Sequence, residues 1–250
     1  MGTIYHSVII PTLNEEQSIE RVLIRIPERI WQEGEVIVVD ASTDRTSYIS
    51  ERCGAKVLNV KKRGKGYQLK AGVALSKGRI IVLMDGDGEH PPEYIPNLLK
   101  ELQIGYDIVL GTRNYGAFIE KPIPGILYIF SQPFIVSLFR LAGLDLKGSP
   151  LTGFRCMWRE TWNKIEPLSD NFLIESEMNL KIVEMGLRYK EVNIPYIERY
   201  NGALNSRVLN NGEGKYVIRY IVSYIFEKQV NWRKFFHFDN KKGLFKTKFK

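Results

Sequence analysis

The sequence predicts an α/β fold in which a mainly parallel central sheet is flanked by helices. In the first half of the chain, apolar runs of strand length alternate with segments of helix length, which is typical of βαβ units. The length of 250 residues and the 44% hydrophobic content are sufficient for one large domain with its own core. Residues 201–250 hold 11 Lys and Arg residues against three acidic residues, which equals the net charge of +8 of the whole chain. We therefore expect a domain over residues 1–212 and a basic C-terminal extension over residues 213–250.

Five apolar runs rich in Val and Ile are the predicted strands of the first half. Segments long enough for helices separate them, as parallel strands joined by crossovers require. The strands are predicted at residues 7–11, 35–40, 55–60, 79–85 and 107–111.

The helix signals are strongest after Pro91 and Pro92 and in the second half of the chain. Residues 91–103 are predicted to form a helix that covers the sheet, because apolar residues recur with the spacing of one helix face at positions 95, 98, 99 and 102. Residues 173–186 predict a second helix, which ends at a glycine. Residues 189–200 predict a strand whose proline is typical of a sheet edge.

Two acids, Asp85 and Asp87, directly follow the fourth predicted strand. Loops at the carboxyl ends of strands are where open α/β sheets bind ligands. An Asp-x-Asp pair in such a loop can hold one hard divalent cation through oxygen atoms, with positions left for water and a substrate phosphate. Taken alone, the pair also fits an ordinary polar turn.

Two further polar loops follow the first and second strands, at residues 11–16 and 38–46. In a parallel sheet both open on the same edge as the Asp-x-Asp loop, so three acid-bearing loops are predicted to converge. Asp40 can accept hydrogen bonds from a nucleotide base or ribose. Ser42 and Asp44 can do the same, or they can cap the helix that follows.

Residues 61–68, KKRGKGYQ, place four cations and two glycines between a strand and a helix. Their spacing fits neither a P-loop nor the GxGxxG turn of dinucleotide-binding proteins. A helix N-terminus with Lys65 beside it is suited to a diphosphate. The alternative is a solvated charged loop.

An uncharged stretch of 18 residues lies between Lys121 and Arg140. Its length reaches the range of a transmembrane helix, but two prolines and a glycine interrupt it. A single span would also put the two halves of an apparently continuous domain on opposite sides of the bilayer. We therefore expect a broken helical pair within residues 123–144, at a membrane surface or along an apolar acceptor groove. A pair of ordinary core helices is the alternative.

The extension at residues 213–250 interleaves basic residues with Phe and Trp, which suits an anionic bilayer surface. Packing or an oligomer contact is an alternative, and we expect no nucleic-acid partner, although the pattern can serve one.

The first residues lack the pattern of a secretory signal. Cys53 and Cys156 provide neither a disulfide framework nor a metal-ligand spacing. We expect a cytoplasmic protein, peripheral on the cytoplasmic face of the membrane.

Eight motifs occur in a fixed order along the chain. They are SVIIPTLNEE, VIVVDASTDRT, GKGYQLKAG, IIVLMDGDGEHPPEYIP, VLGTR, TGFR, IESEM and IPYIERY. Over about residues 6 to 207 this ordered set resembles the family 2 glycosyltransferases, and within them most closely the branch that contains the dolichol-phosphate (polyprenyl-phosphate) mannosyltransferases. The resemblance implies the GT-A-type nucleotide-diphospho-sugar transferase fold. It also implies metal-dependent, inverting transfer of a sugar from a donor of the GDP-mannose or UDP-glucose type.

The resemblance also implies a set of site residues. The nucleotide-sugar pocket would contain Pro11, Thr12, Leu13, Glu15, Asp40, Ser42, Lys65, Asp85 and Gly86. Mg²⁺ or Mn²⁺ would be held by Asp85 and Asp87, with Glu89 near the metal, where relatives often have Gln. Arg113 would meet the acceptor phosphate, and Arg199 would meet the phosphates of the donor.

The leading acceptor is a polyprenyl or dolichyl phosphate, which is largely a dianion at neutral pH and needs no strong general base. The first alternative is transfer to a hydroxyl of a glycan or lipid-linked oligosaccharide, which does need a carboxylate base. Glu175 and Glu177 are candidates for that base, and the catalytic candidates are Asp87, Arg113, Arg199 and Glu177. A distant alternative is a non-catalytic nucleotide-sugar or nucleic-acid binding protein, which the presence of both Asp85 and Asp87 disfavours.

Overall fold

The computed structural model describes residues 5–113, 126–197, 213–229, 236–239 and 244–247. The strands within these ranges are β1 (His6–Thr12), β2 (Gly34–Asp40), β3 (Lys56–Asn59), β4 (Ile80–Leu83), β5 (Ile108–Thr112), β6 (Arg155–Trp158), β7 (Tyr189–Asn193), β8 (Phe236–Asp239) and β9 (Leu244–Thr247). The α-helices are α1 (Ile19–Ile24), α2 (Glu28–Glu33), α3 (Thr46–Arg52), α4 (Lys65–Leu75), α5 (Ile95–Ile104), α6 (Ile126–Leu141), α7 (Arg159–Ile165), α8 (Leu173–Glu184) and α9 (Glu213–Gln229).

Seven strands form the central sheet in the order β3-β2-β1-β4-β6-β5-β7. The neighbours β3, β2, β1 and β4 run parallel, and β5 runs parallel to β7. Only β6, among the strands of this sheet, is antiparallel to both of its neighbours. Because the first four strands are parallel, the loops that follow β1, β2 and β4 open on one edge. The prediction of a mainly parallel sheet is confirmed.

The sheet has apolar clusters on both faces, because successive residues of a strand point to opposite sides. Ile9 and Ile37 lie in the cluster covered by α4, α6, α8 and α9, while Val8 and Val36 lie in the cluster covered by α1, α2 and α5. All four side chains are almost completely buried. The predicted placement of helices on both faces therefore matches the structure.

Three differences from the sequence predictions concern the helix after Pro91, the strand β7 and the strand β6. The predicted helix at 91–103 begins as a short 3-10 turn, Pro92–Tyr94, before α5 starts. The predicted strand at 189–200 ends at Asn193, although β7 does lie at an edge of the sheet. Strand β6 was not predicted as a strand, because its four residues begin with a buried arginine rather than an apolar run.

The described part of the segment expected to be a broken helical pair, residues 126–144, contains one helix, α6, with Pro133 inside it. Proline removes one backbone hydrogen bond from a helix interior. The buried side chains of Ile135, Leu138 and Phe139 follow it and dock α6 on the core. Burial of these side chains offsets the missing hydrogen bond, so the helix continues through the proline. Within the described ranges, no helix has both the length and the apolar content needed to cross a bilayer.

Helix α9 begins the predicted C-terminal extension and packs on the body of the protein. Its Val217 and Ile221 are buried in the same cluster as α6 and α8. The basic face of α9 carries Lys215 and Arg219, which are exposed. The first part of the extension thus belongs to the core that supports the sheet. The predicted division into a domain over residues 1–212 and an extension over residues 213–250 stays a prediction.

Candidate active site

The candidate site is built around a buried lysine that contacts two carboxylates. Lys65 is the first residue of α4, and its Nζ lies 2.6 Å from Oδ1 of Asp85 and 2.5 Å from Oε1 of Glu175. Asp85 follows β4, and Glu175 lies in the first turn of α8. The side chains of Lys65 and Glu175 are only 7% and 5% exposed. This contact joins the Asp-x-Asp loop to the second half of the chain.

The ionisation of this cluster depends on the mutual contacts of its members. Burial alone lowers the pKa of Lys65, but Asp85 and Glu175 together raise that pKa above its ordinary value. Burial raises the pKa of Glu175, and the contact with Lys65 opposes this rise only in part. Lys65 is therefore a permanent ammonium that neutralises carboxylate charge inside the protein.

Because Gly153 has no side chain, it leaves room for the contact between the ammonium of Lys65 and the carboxylate of Asp85. A Cβ atom at this position would lie 2.6 Å from Oδ2 of Asp85 and 2.7 Å from Nζ of Lys65. Arg155, which is fully buried, holds the loop before it by donating to the carbonyl of Thr152 at 2.9 Å. The same guanidinium donates to the carbonyl of Glu175 at 3.3 Å, so one residue fixes both the glycine loop and α8.

His90 is a buried residue of the site that the sequence analysis missed. Its Nδ1 accepts a hydrogen bond from the backbone N–H of Asp85 at 3.2 Å, and its ring stacks on Phe154 at 5.4 Å between centroids. Burial lowers the pKa of His90 to about 4, with Asp85 opposing that shift, so the ring is neutral at pH 7. The only sequence signal for this role is its position three residues after Asp87.

The predicted metal residue Glu89 and the predicted acceptor residue Arg113 form an ion pair. Nη2 of Arg113 lies 3.1 Å from Oε2 of Glu89. Oδ1 of Asp87 accepts the backbone N–H of Glu89 at 3.0 Å, which orders the turn. Within the described part of the chain, no three His, Cys, Asp or Glu side chains form a metal-ligand group. Asp85, Asp87 and Glu89 are thus near one another in the chain, but they do not form such a group.

The loops after β1 and β2 meet around the carboxylate of Asp40, as predicted. Thr12 lies opposite Asp40 in the sheet register and donates to its Oδ1 at 2.7 Å. Ser42 also donates to Oδ1, and Ser47 donates to Oδ2 at 2.5 Å. Asp40 is 3% exposed. The hydroxyl network fixes the carboxylate at the carboxyl end of β2.

Asp44 contacts the first residue of α3, but it is not the N-cap residue, which is Arg45. Oδ1 of Asp44 accepts the backbone N–H of Thr46 at 3.0 Å, where α3 begins. Ser42 accepts the backbone N–H of Asn14 at 2.7 Å, which links the loops after β2 and β1. Both side chains therefore organise the loops of this edge.

The loop after β1 also meets the Asp-x-Asp loop. The hydroxyl oxygen of Ser18 lies 2.9 Å from the carbonyl oxygen of Gly86 and 3.0 Å from Oε2 of Glu15, so its one hydrogen can be donated to either. A Cβ at Gly86 would lie 2.8 Å from the Cγ2 of Thr12, so a side chain does not fit there. Pro11 and Leu13 are partly buried on either side of Thr12. The three predicted loops therefore lie together.

The N-terminus of α4, which the sequence analysis considered for a diphosphate, is covered by protein, and a role of Lys65 in donor binding stays a prediction. The backbone N–H of Tyr67 donates to the carbonyl of Asp170 at 3.0 Å. A Cβ at Gly66 would lie 2.1 Å from the carbonyl oxygen of Ser169. The alternative of a solvated charged loop fails for Lys65, which is buried at the centre of the site.

Glu177 holds the loop that covers α4. Its two carboxylate oxygens accept the backbone N–H groups of Leu168 at 2.8 Å and Ser169 at 2.9 Å. Glu175, two residues earlier, has the carboxylate that reaches Lys65. Arg199, predicted for the donor phosphates, lies outside the described residues.

Comparison with known proteins places the chain among glycosyltransferases. The family description "Glycosyl transferase family 2" matches residues 7–132. A dolichyl-phosphate hexose transferase of Haloferax volcanii is 33% identical over 198 residues, which cover 77% of this chain and 83% of the relative. A dolichol-phosphate mannosyltransferase of Pyrococcus furiosus is 30% identical over 224 residues, 86% of this chain but only 61% of the relative.

The fold agrees with this relationship. Glucosyl-3-phosphoglycerate synthase of Mycobacterium tuberculosis, solved with phosphoglyceric acid, superposes with a TM-score of 0.70 at 25% identity, covering 89% of this chain and 80% of the other. The same enzyme solved with Mn²⁺, UDP and phosphoglyceric acid gives a TM-score of 0.70 at 24% identity, covering 89% of this chain and 78% of that one. The family match, the relatives and the GT-A architecture confirm the predicted resemblance, and the chain belongs to glycosyl transferase family 2.

Proposed function

We propose that this glycosyltransferase moves a hexose, with inversion, from a nucleotide-sugar donor to a polyprenyl or dolichyl phosphate. The observation that carries the proposal is the engagement of both candidate base carboxylates. Glu175 contacts the ammonium of Lys65 at 2.5 Å, and Glu177 accepts two backbone N–H groups. An ionised phosphate acceptor needs no carboxylate base, and so it suits this arrangement better than a hydroxyl does.

The names of the two relatives support the same acceptor. Both the Haloferax and the Pyrococcus proteins are named for transfer involving dolichyl or dolichol phosphate. The donor base and sugar are left open between the GDP-mannose and UDP-glucose types. The loops around Asp40 are the proposed site for the nucleoside, because a fixed buried carboxylate can accept hydrogen bonds from a base or ribose.

Asp85 and Asp87 fit a divalent cation by their chemistry. Both offer hard carboxylate oxygens, and Asp85 already binds a positive charge, the ammonium of Lys65. We propose that the two acids hold Mg²⁺ or Mn²⁺ together with donor phosphates, which complete a site that protein ligands alone do not form. The bound ion would neutralise charge that develops on the nucleoside diphosphate. Mn²⁺ is present with UDP in the mycobacterial enzyme of the same fold and is the first ion to test.

The proposed reaction is one displacement at the anomeric carbon. An acceptor phosphate oxygen forms the new bond to that carbon while the bond to the diphosphate oxygen of the donor breaks. Arg113 would hold the acceptor phosphate, as an arginine fork suits phosphate geometry. Lys65 would keep Asp85 in place, and His90 would hold the backbone of Asp85 without adding charge. Arg199 stays a candidate for the donor phosphates.

A second candidate function is transfer to a hydroxyl of a glycan or lipid-linked oligosaccharide. One observation favours it, because burial raises the pKa of the Glu175 carboxylate above its ordinary value and so makes it a stronger base. In that reaction Glu175 would accept the proton of the hydroxyl. Glu177 would keep its structural contacts and would have no direct part.

The test is a transfer assay with purified protein, GDP-mannose or UDP-glucose, Mn²⁺ or Mg²⁺, and a short-chain dolichyl phosphate. We expect a glycosyl phosphate product with one donor, no product with dolichol, and retention of most turnover in Glu175→Gln. Loss of turnover by about 100-fold or more in Glu175→Gln, with donor binding unchanged, would instead support the hydroxyl acceptor. Glu177→Gln is the matched control, since it carries the same change two residues away.

We also propose that the enzyme works at the cytoplasmic face of a membrane. Phe134 and Leu141 project from α6 with exposed fractions of 52% and 71%, and Arg140 lies between them in the sequence. Apolar and basic side chains on one helix suit the interface of an anionic bilayer. Cys53 and Cys156 are free thiols, which supports a reducing compartment.

A further inference from the structure

Arg113 is a buried cation whose charge is matched by a carboxylate of the neighbouring loop. The side chain of Arg113, directly after β5, is 8% exposed, and its Nη2 contacts Oε2 of Glu89 at 3.1 Å. The same nitrogen donates to the carbonyl of Glu89 at 3.3 Å. The ring centroid of Tyr196 lies 5.7 Å from the guanidinium carbon. These contacts give the guanidinium a fixed orientation.

Glu89 is the more exposed partner of this pair. Its side chain is 28% exposed, against 8% for Arg113, so solvent reaches the carboxylate more readily than the guanidinium. Its backbone stays fixed, because the N–H of Glu89 donates to Asp87 at 3.0 Å. The carboxylate can therefore leave Arg113 while the turn that carries the Asp-x-Asp pair keeps its shape.

We propose that Glu89 is an internal competitor that occupies Arg113 until a phosphate monoester displaces it. A phosphate uses the same guanidinium N–H groups as a carboxylate and binds them with more charge. An incoming anion must therefore bind Arg113 more strongly than Glu89 does. A dianionic phosphate meets this condition, and weakly binding anions do not. The inference rests on the proposed function for the source of the phosphate, the head of the lipid acceptor.

The chemistry distinguishes Glu89 from the other acids of the site. Asp85 and Glu175 both contact the ammonium of Lys65, whereas Glu89 contacts Arg113. Removal of the charge of Glu89 should therefore act on phosphate binding at Arg113. A matched acid from the same part of the chain is Glu93, whose side chain is 48% exposed and contacts Arg25 at 2.7 Å.

The experiment measures the binding of farnesyl phosphate by calorimetry in EDTA, without donor, so that turnover and metal play no part. We expect Glu89→Gln to bind the probe about tenfold more tightly than the unchanged protein, because one negative charge no longer competes or repels. Glu93→Gln should leave the affinity unchanged. Arg113→Gln should bind weakly, and the double variant E89Q/R113Q should show no gain over Arg113→Gln. Glu89→Ser repeats the test with a smaller side chain if the Gln variant does not fold.

The outcomes separate this inference from the proposed function. If Arg113→Gln loses binding while Glu89→Gln and Glu89→Ser bind no more tightly than the unchanged protein, the competitor role is wrong and the phosphate site stands. If Arg113→Gln binds farnesyl phosphate as well as the unchanged protein, both the competitor role of Glu89 and the proposed phosphate site at Arg113 are wrong. Absence of binding in every protein, including Glu89→Gln, also overturns the inference. Inorganic phosphate as a second probe distinguishes recognition of the phosphate group from binding of the prenyl chain.

Discussion

The Nζ of Lys65 lies 2.5 Å from Oε1 of Glu175, although the two residues are 110 positions apart in the chain. The contact is buried, and the same ammonium also reaches Asp85 at 2.6 Å. It is therefore the charge link between the half of the fold that carries β1 to β4 and α8. A buried cation between two acids makes each of the three dependent on the others.

Replacement of Lys65 by Met should destabilise the protein by about 3–5 kcal/mol, since it leaves two carboxylates near one another without their shared cation. The added change Glu175→Gln should recover part of that loss, because it removes one of the two carboxylate charges that are left without a cation. The free energy of unfolding in urea, measured for both single variants and the double variant, gives the coupling between the residues.

Lys70 provides the matched control for this cycle. It is on the same helix, but its side chain is 30% exposed and its contact with Asp170 is a surface ion pair. Lys70→Met should cost at most about 1 kcal/mol. Equal costs for Lys65→Met and Lys70→Met would show that Lys65 does not hold the two carboxylates together in solution.

Gly153→Ala should weaken both stability and donor binding. The new methyl would meet the Asp85 carboxylate and the Lys65 ammonium at 2.6 and 2.7 Å, so the ion pair or the loop must move. Overpacking of this kind costs about 1–3 kcal/mol. Thermal unfolding with and without GDP or UDP in the presence of Mn²⁺ reports both effects.

Gly214→Ala is the comparison for this substitution. Gly214 lies in α9, and a Cβ there has nothing within 4 Å. Alanine should stabilise that helix by about 0.5–1 kcal/mol and leave the nucleotide-dependent shift unchanged. A Gly153→Ala protein that keeps the full nucleotide shift would contradict the packing argument.

The architecture was predictable because its signals are local. Strands β1, β2 and β4 are apolar runs, and their parallel order brings the loops that carry Asp40 and Asp85 to one edge. Short-range patterns also place Asp44 beside the start of α3. The convergence of these loops follows from topology alone, without knowledge of any side-chain contact.

The pairings inside the site were not predictable, because they join residues far apart in the chain. Lys65 was expected beside a helix N-terminus, but the loop at Ser169, which covers that terminus, is distant in the chain. The sequence does not distinguish Glu175 from Glu177. In the structure, Glu175 contacts Lys65, whereas Glu177 accepts two backbone N–H groups. His90 gave no pattern, since a single histidine has no periodicity.

Stability should fall as the pH falls below the ordinary histidine range, in part because of His6. Burial lowers the pKa of His6 in the folded protein, and its Nε2 donates to the carbonyl of Ile30 at 3.0 Å in the neutral form. The unfolded chain therefore takes up a proton first. The contribution of neutral His6 is complete above the unfolded pKa of about 6.5 and is lost as the pH decreases below it.

His6→Gln isolates this effect. Gln keeps a donor for Ile30 but does not titrate, so the variant should be less stable than the unchanged protein at pH 8 and the difference should shrink toward pH 5. His90 titrates in both proteins and cancels in the comparison. Urea unfolding at several pH values measures the difference, and a gap that stays constant from pH 8 to 5 would contradict the assignment.

The exposed apolar residues of α6 should contribute to membrane binding. Phe134 and Leu141 are 52% and 71% exposed, and burial of each in the bilayer interface should strengthen partitioning by about tenfold. The double change Phe134→Ser and Leu141→Ser should therefore reduce sedimentation with anionic vesicles strongly. Ile24→Ser on α1, where the side chain is 70% exposed, should leave sedimentation unchanged. If the α6 double variant and Ile24→Ser bind vesicles equally well, α6 is not the membrane contact, and the basic residues of the C-terminal extension become the candidates to substitute next.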